Sequence, residues 1–123
     1  MSDGADVFIV ETKDGVCIVA PTKALDSLQW DVVDGSAARM IKASNETGSP
    51  PRMIFDLNQV TYFGSIFLSL MLRCWKHVDE HKGRFAICGL TPDTHKLIEV
   101  TKLHTVWKIY PNRVTALAEL NRA

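Results

Sequence analysis

Apolar and polar positions in the first 21 residues are ordered as in two short strands joined by a tight turn. Val7 to Thr12 is rich in β-branched residues, and Val16 to Ala20 is a second apolar run. Between them stands Asp14-Gly15, a dipeptide that is favoured in two-residue hairpin turns. Pro21 lacks a backbone N–H, so we expect the second strand to stop there.

The apolar spacing then changes to that of a helix. From Leu25 to Ser44, apolar residues recur three and four positions apart. The firmest part of this predicted helix is Ser36 to Ser44, because a glycine just before it weakens the middle of the segment. Asp34 or Ser36 would cap a helix that starts there. Asn45 to Pro51 has the composition of a loop.

Strands and helices alternate through the rest of the chain. Strands are predicted at Arg52 to Leu57, Arg84 to Leu90 and Val106 to Tyr110. Helices are predicted at Ser65 to His81, from Thr91-Pro92 onwards with Thr91 as the cap, and after Pro111. Gly83 is well placed to end the first of these helices. The order predicts one α/β domain over residues 1–123, with a mixed, mostly parallel β-sheet, about four helices and a flexible N-terminus at residues 1–6.

Charge and apolar content narrow the classes of function. The chain has 14 Lys and Arg against 14 Asp and Glu, and this balance argues against a nucleic-acid or anionic-membrane surface. The N-terminus has no signal-peptide pattern, and the longest apolar stretch, around Ile66 to Leu72, is too short to cross a bilayer. We therefore expect a cytoplasmic protein without membrane insertion. Cys17, Cys74 and Cys88 lie among apolar neighbours, which predicts buried, reduced thiols.

The segment Ile54 to Ser65 (Ile-Phe-Asp-Leu-Asn-Gln-Val-Thr-Tyr-Phe-Gly-Ser) resembles the central motif of STAS domains, the sulfate-transporter and anti-sigma-factor-antagonist family. The usual pattern there is an apolar strand, Asp-Leu, a short turn, Val-x-Tyr/Phe-Ile/Met, and Asp-Ser-Ser/Thr-Gly opening an apolar helix. The resemblance extends over nearly the whole chain in the order and length of the elements. It implies a STAS-like fold.

The end of the motif departs from the family pattern. Gly64 stands where the family usually has Asp, and Ile66 and Phe67 replace the second hydroxyl residue and the glycine. Ser65 aligns with the serine that many members have phosphorylated by a partner kinase. Two interpretations of Ser65 stay open at this point: an exposed phosphoacceptor at a helix start, or a simple N-cap.

Two interpretations also stay open for Ile66 and Phe67. The first two turns of the predicted helix are apolar almost all round, whereas a surface helix needs an apolar stripe of only about 100°. Either both sides of the helix are buried, or Ile66 or Phe67 is exposed and forms a hydrophobic contact patch for a partner or a second copy of the chain.

Residues with catalytic or metal-binding potential are few. Asp56 ends a strand as the phosphorylated aspartate of receiver domains does, but the acidic pair that such sites need is absent, so a turn-capping role before Asn58 is favoured. His77 and His81 have a spacing that can bind one metal ion, yet no third ligand is evident and the surroundings are cationic. No nucleophile, base and oxyanion site come together. The sequence therefore predicts no catalytic residue, no metal and no cofactor.

The resemblance implies a non-catalytic bacterial signalling module that binds a partner protein. The partner expected from the family is an anti-sigma factor serine kinase, with regulation by phosphorylation at Ser65, and a homodimer is a further option. The alternative is a transporter-associated or structural STAS subunit without phosphorylation. The predicted partner-binding residues lie at the helix start and at the end of the preceding strand: Gly64, Ser65, Ile66, Phe67, Asp56 and Asn58.

Overall fold

A computed structural model describes residues 7–23, 25 and 28–122 of the chain. The expectation of a flexible segment at residues 1–6 falls outside the described residues. The strands are β1 (Phe8–Lys13), β2 (Val16–Pro21), β3 (Arg52–Asp56), β4 (Arg84–Cys88) and β5 (Lys108–Tyr110). The α-helices are α1 (Val33–Asn45), α2 (Ser65–Glu80), α3 (Pro92–Val100) and α4 (Arg113–Leu120).

The five strands form one mixed sheet in the order β1-β2-β3-β4-β5. β1 is antiparallel to β2, and the other neighbouring strands are parallel. The predicted hairpin is confirmed, with Asp14 at φ 52° and Gly15 at φ 76°, both in the left-handed region that a two-residue hairpin turn requires. Over the described residues the predicted α/β class is confirmed, with a mostly parallel sheet and four α-helices.

The helices cover the two faces of the sheet unequally. The larger apolar cluster lies between the sheet and the helices α1 and α2, and it contains Phe8, Phe55 and Met71. A smaller cluster joins the opposite face of the sheet to α4 through residues such as Ile54 and Leu117. Alternate residues of β3 therefore enter different clusters, as the two-residue repeat of a strand requires.

The start of α1 differs from the expectation. The helix begins at Val33, preceded by a 3-10 turn at Trp30–Val32, and its N-cap Val32 offers no side-chain hydrogen bond. Asp34 lies in the first turn instead of at the cap, and Ser36 is fully buried. The capping prediction was wrong: the helix begins before both candidate residues, and the buried Val33 packs against the core in its first turn.

The end of α2 also has a different cause from the predicted one. The residue with left-handed backbone is Lys82, at φ 58°, and the Gly83 N–H donates to the Val78 carbonyl at 2.8 Å. Gly83 is needed for another reason: a Cβ there would stand 2.1 Å from the Pro51 carbonyl oxygen. The chain therefore uses glycine to let the helix end approach the loop before β3.

Candidate functional site

The segment between β3 and α2 is anchored to the core by buried apolar side chains. The residues between these anchors are exposed. Leu57, Val60 and Phe63 are buried, whereas Asn58 and Tyr62 are exposed. The Leu57 N–H donates to the Cys88 carbonyl of the neighbouring strand at 2.9 Å, and the Val60 N–H donates to the Leu57 carbonyl at 3.0 Å. These anchors fix where α2 starts relative to the sheet.

Asp56 is buried and already has partners inside the chain. Its Oδ1 accepts the Asn58 N–H at 3.2 Å, which agrees with the predicted turn-capping role. Its Oδ2 accepts the Arg113 Nε–H from the start of α4 at 2.9 Å, and Arg113 also lies 3.5 Å from Glu11. The Asp56 side chain is only 4% exposed. The prediction that Asp56 contacts a partner is therefore wrong for its side chain, while Asn58 beside it remains accessible.

Ser65 is the first residue of α2 and is exposed. The N-cap is Gly64, with extended backbone at φ −109°, so the interpretation of Ser65 as the N-cap is wrong. No side chain caps this helix start, and no described residue hydrogen-bonds the Ser65 hydroxyl. Glycine is not required at position 64, because a Cβ there would meet no atom within 4 Å. The hydroxyl thus stands beside free backbone N–H groups at the positive end of a helix.

Phe67 is buried in the core, whereas Ile66 is partly exposed, so the two interpretations of these residues each hold for one of them. Phe67 is only 2% exposed, and its ring lies 5.5 to 6.1 Å from the rings of Phe8, Phe55 and Phe63. The prediction of an exposed contact residue is wrong for Phe67, because the helical turn directs this position at the sheet. Ile66 is half-buried and packs at the margin of the same cluster, so part of its side chain stays accessible.

Two shallow hollows meet at Ser65. The first, of about 300 Å³, is lined by Tyr62, Gly64, Ser65 and Ile66 together with the underlying apolar side chains of Leu25, Leu28, Phe63 and Phe67. The second runs along the outer side of α2, with Trp30, Leu68 and Leu72 as its apolar lining. Tyr62 is 65% exposed and Trp30 is 58% exposed. We define the α2-start surface as Trp30, Tyr62, Gly64, Ser65, Ile66, Leu68 and Leu72.

Trp30, Tyr62, Leu68 and Leu72 were not predicted as site residues. Trp30 lies outside the apolar repeat of its own segment, and an aromatic residue at a polar position was the available sign. Leu68 and Leu72 were part of the apolar run of α2, in which the sequence does not distinguish the outer positions from the inner ones. In the structure, Trp30, Leu68 and Leu72 line one hollow together with Ser65.

The histidines and cysteines lie apart from this surface. His77 and His81 stack with ring centroids 4.3 Å apart, and His77 Nε2 lies 2.9 Å from Asn45 Oδ1. Burial, and then the neighbouring His81, lower the pKa of His77. All three cysteines are free and buried, as predicted, and burial raises the pKa of each thiol to about 12.

The described residues contain no group of three or more His, Cys, Asp or Glu side chains arranged to hold a metal ion. Within the same part of the chain, no helix is both long enough and apolar enough to cross a membrane.

Comparison with known proteins points to one family. The model of the STAS domain family matches residues 8–116. A protein of Paenibacillus polymyxa named anti-sigma F factor antagonist is 29% identical over 111 residues, which cover 90% of this chain and 92% of that protein.

Solved structures agree. A STAS domain protein from Planctomyces limnophilus, described as an anti-sigma-factor antagonist, superposes with a TM-score of 0.80 at 27% identity, covering 94% of this chain and 98% of the other. An anti-sigma factor antagonist from Mycobacterium paratuberculosis has the same fold, with a TM-score of 0.68 at 23% identity over 94% of this chain and 93% of the other. With a family match over nearly all of its described length, the chain belongs to the STAS domain family.

Proposed function

We propose that this chain is a non-catalytic, anti-sigma-factor-antagonist-like module that binds a partner protein through the α2-start surface. One observation carries the proposal. The exposed Ser65 hydroxyl, bonded to no described residue, stands at an uncapped helix start between two apolar hollows. The likeness to relatives named anti-sigma factor antagonists supports an anti-sigma factor serine kinase as the partner.

Burial of the apolar side chains would supply most of the affinity. Tyr62 and Trp30 expose more than half of their surface, and aromatic residues of this kind are frequent anchors of protein interfaces. Covering such a side chain contributes roughly 25 cal/mol for each Å² of apolar surface. The α2-start surface therefore has the composition of an interface core with a hydroxyl at its centre.

Phosphorylation at Ser65 would regulate this contact. A phosphate adds about two negative charges, and the uncapped N–H groups of α2 together with the helix dipole would hold it in place. The same charge would stand beside Tyr62 and Ile66, where a docked partner would have to desolvate it. Phosphorylation would therefore weaken binding without unfolding the domain.

The experiment is a calorimetric titration of variants against the purified anti-sigma factor kinase of the host organism. We expect Ser65→Ala to bind like the wild type, Ser65→Asp to bind more weakly, and Tyr62→Asp to lose about tenfold to a hundredfold in affinity. Val114→Asp is the matched control, because Val114 is 78% exposed on α4, on the other side of the sheet. Unchanged affinity in Tyr62→Asp would contradict the proposal.

A transporter-associated or structural role without phosphorylation is the second candidate. It is favoured by the departures around Ser65, namely Gly64, Ile66 and the buried Phe67, which leave one of the four motif positions intact. Co-purification with a membrane transporter, together with no binding to the kinase and no effect of Ser65→Asp, would support this role instead.

A further inference from the structure

Among the described residues, the strand β1 lies at one edge of the sheet and is paired on one side only, with β2. Lys13 and Val16 flank the two-residue turn, and the Thr22 N–H donates to the Val7 carbonyl at 2.7 Å. In an antiparallel pair the residues alternate in direction, so Val7, Ile9, Glu11 and Lys13 direct their N–H and C=O groups at β2. Phe8, Val10 and Thr12 therefore direct theirs away from the sheet.

These outward groups are almost unused in the described part of the chain. The Phe8 carbonyl receives one long bond, at 3.5 Å, from Arg39 Nη2 of α1. The backbone groups of Val10 and Thr12 that face outward have no partner among the described residues. β1 has six residues, with no proline or bulge to blunt its edge. Such an edge is a template for adding another strand.

We propose that the added strand is β1 of a second copy of this chain, related by a two-fold axis through Val10. In that antiparallel register Val10 faces Val10 of the other copy, and Phe8 faces its Thr12. Each residue whose backbone groups face away from its own sheet is then opposite another such residue. The N–H of each can therefore donate to the C=O of the other across the new interface. The two five-stranded sheets become one continuous sheet. This inference is independent of the proposed function, because β1 is not part of the α2-start surface.

The charges beside the edge favour a second copy over an unrelated peptide. A groove of about 320 Å³ between β1 and α1 is lined by Val10, Arg39, Lys42, Ala43 and Glu46. It contains both signs of charge, so a peptide of one sign would meet a like charge. α1 connects two parallel strands and therefore runs opposite to β2 and along β1. The two-fold axis makes the two α1 helices antiparallel, which places the cations of one copy near Glu46 of the other.

The first test is sedimentation equilibrium of the full chain over a range of concentrations. We expect a reversible dimer. Val10→Pro removes an outward N–H and leaves the bonds to β2 intact, so the dimer dissociation constant should rise about tenfold or more. Ile9→Ser is the matched control, because Ile9 is 52% exposed on the same strand but directs its backbone at β2. Its dimer dissociation constant should lie closer to that of the wild type than that of Val10→Pro does.

A second set of variants decides the question if Val10→Pro fails to fold. Lys42 and Glu46 are both exposed and lie four residues apart at the end of α1, so each single reversal also places two like charges within one helix. Thermal unfolding of each variant at a concentration where it is monomeric measures that effect apart from dimer dissociation. Lys42→Glu and Glu46→Lys should each raise the dimer dissociation constant. The double variant should recover most of the lost affinity, because unlike charges again face each other across the two-fold axis. A chain that is monomeric up to its solubility limit would overturn the proposal. A dimer unaffected by Val10→Pro and by both charge variants would do so as well.

Discussion

Phe67 and Ile66 are adjacent in sequence but make different contributions, since the helix turns Phe67 towards three other aromatic rings and leaves Ile66 half-buried. We expect Phe67→Ala to lower the free energy of unfolding by about 3–5 kcal/mol, because it leaves a cavity in the larger cluster. Ile66→Ala should cost about 1–2 kcal/mol. Urea unfolding followed by circular dichroism measures both, and a larger loss in Ile66→Ala would contradict the assignment of Phe67 to the core.

Arg113 connects the start of α4 to the end of β3 through Asp56. We expect Arg113→Met to lower the free energy of unfolding by about 2–3 kcal/mol, because it leaves the Asp56 carboxylate buried without its partner. The value lies below that of a fully buried pair, since the Arg113 side chain is 31% exposed. The measurement is chemical denaturation of purified variants.

The matched variant is Asp56→Asn combined with Arg113→Met. It removes the buried charge together with its partner while keeping a side-chain oxygen for the Asn58 N–H. The double variant should be more stable than Arg113→Met alone, since no unpaired charge remains. Asp56→Asn alone completes the cycle. If the effects of Asp56→Asn and Arg113→Met simply add in the double variant, the Asp56–Arg113 ion pair does not contribute to stability.

At the scale of elements, two neighbouring residues at the end of α2 have different requirements: Lys82 has a left-handed backbone, and Gly83 has no room for a Cβ. Lys82→Gly should stabilise the domain by about 1 kcal/mol or less, because glycine adopts the left-handed backbone of position 82 without steric cost. Gly83→Ala should destabilise it, since the new Cβ would collide with the Pro51 carbonyl. Thermal unfolding measures both. Effects of the same sign would contradict this division of roles.

The prediction of elements from sequence succeeded where local chemistry fixes them. Asp14-Gly15 supports the hairpin turn, and Thr91 with Thr94 forms a capping box at the start of α3. It failed where packing overrides local preference. α1 starts at Val33 without a side-chain cap. β5 begins only at Lys108, because the Val106 and Trp107 N–H groups both donate to the Leu103 carbonyl and close a turn before the strand.

The candidate site was only partly predictable for a related reason. Gly64, Ser65 and Asn58 are adjacent to the strand-to-helix junction in sequence, and the resemblance to the family motif locates them. Trp30 and Arg113 reach the junction from 35 or more positions away in the chain. Neither a motif nor a repeat specifies such long-range contacts, because they depend on how the elements pack against the sheet.

At the scale of the whole molecule, the sheet is shared by two apolar clusters of unequal size. Alternate side chains of β2, β3 and β4 belong to the two different clusters. Unfolding of either cluster would therefore expose apolar side chains on one face of these three strands. Arg84 donates to the Leu120 carbonyl at 3.0 Å, and Arg52 donates to Asn121 at 2.7 Å. These bonds tie the end of α4 to the amino ends of β3 and β4, so we expect one cooperative unfolding unit.

Leu120→Ala tests this cooperativity. Leu120 is 3% exposed in the smaller cluster under α4, and its truncation should cost about 2–5 kcal/mol. Trp107 lies in the larger cluster on the other face. If the domain unfolds as one unit, tryptophan fluorescence and far-ultraviolet circular dichroism should show the same lowered urea midpoint. Val114→Ala, on the exposed side of the same helix, should leave both midpoints unchanged. A fluorescence midpoint that stays at the wild-type value in Leu120→Ala would show that α4 detaches separately from the rest of the domain.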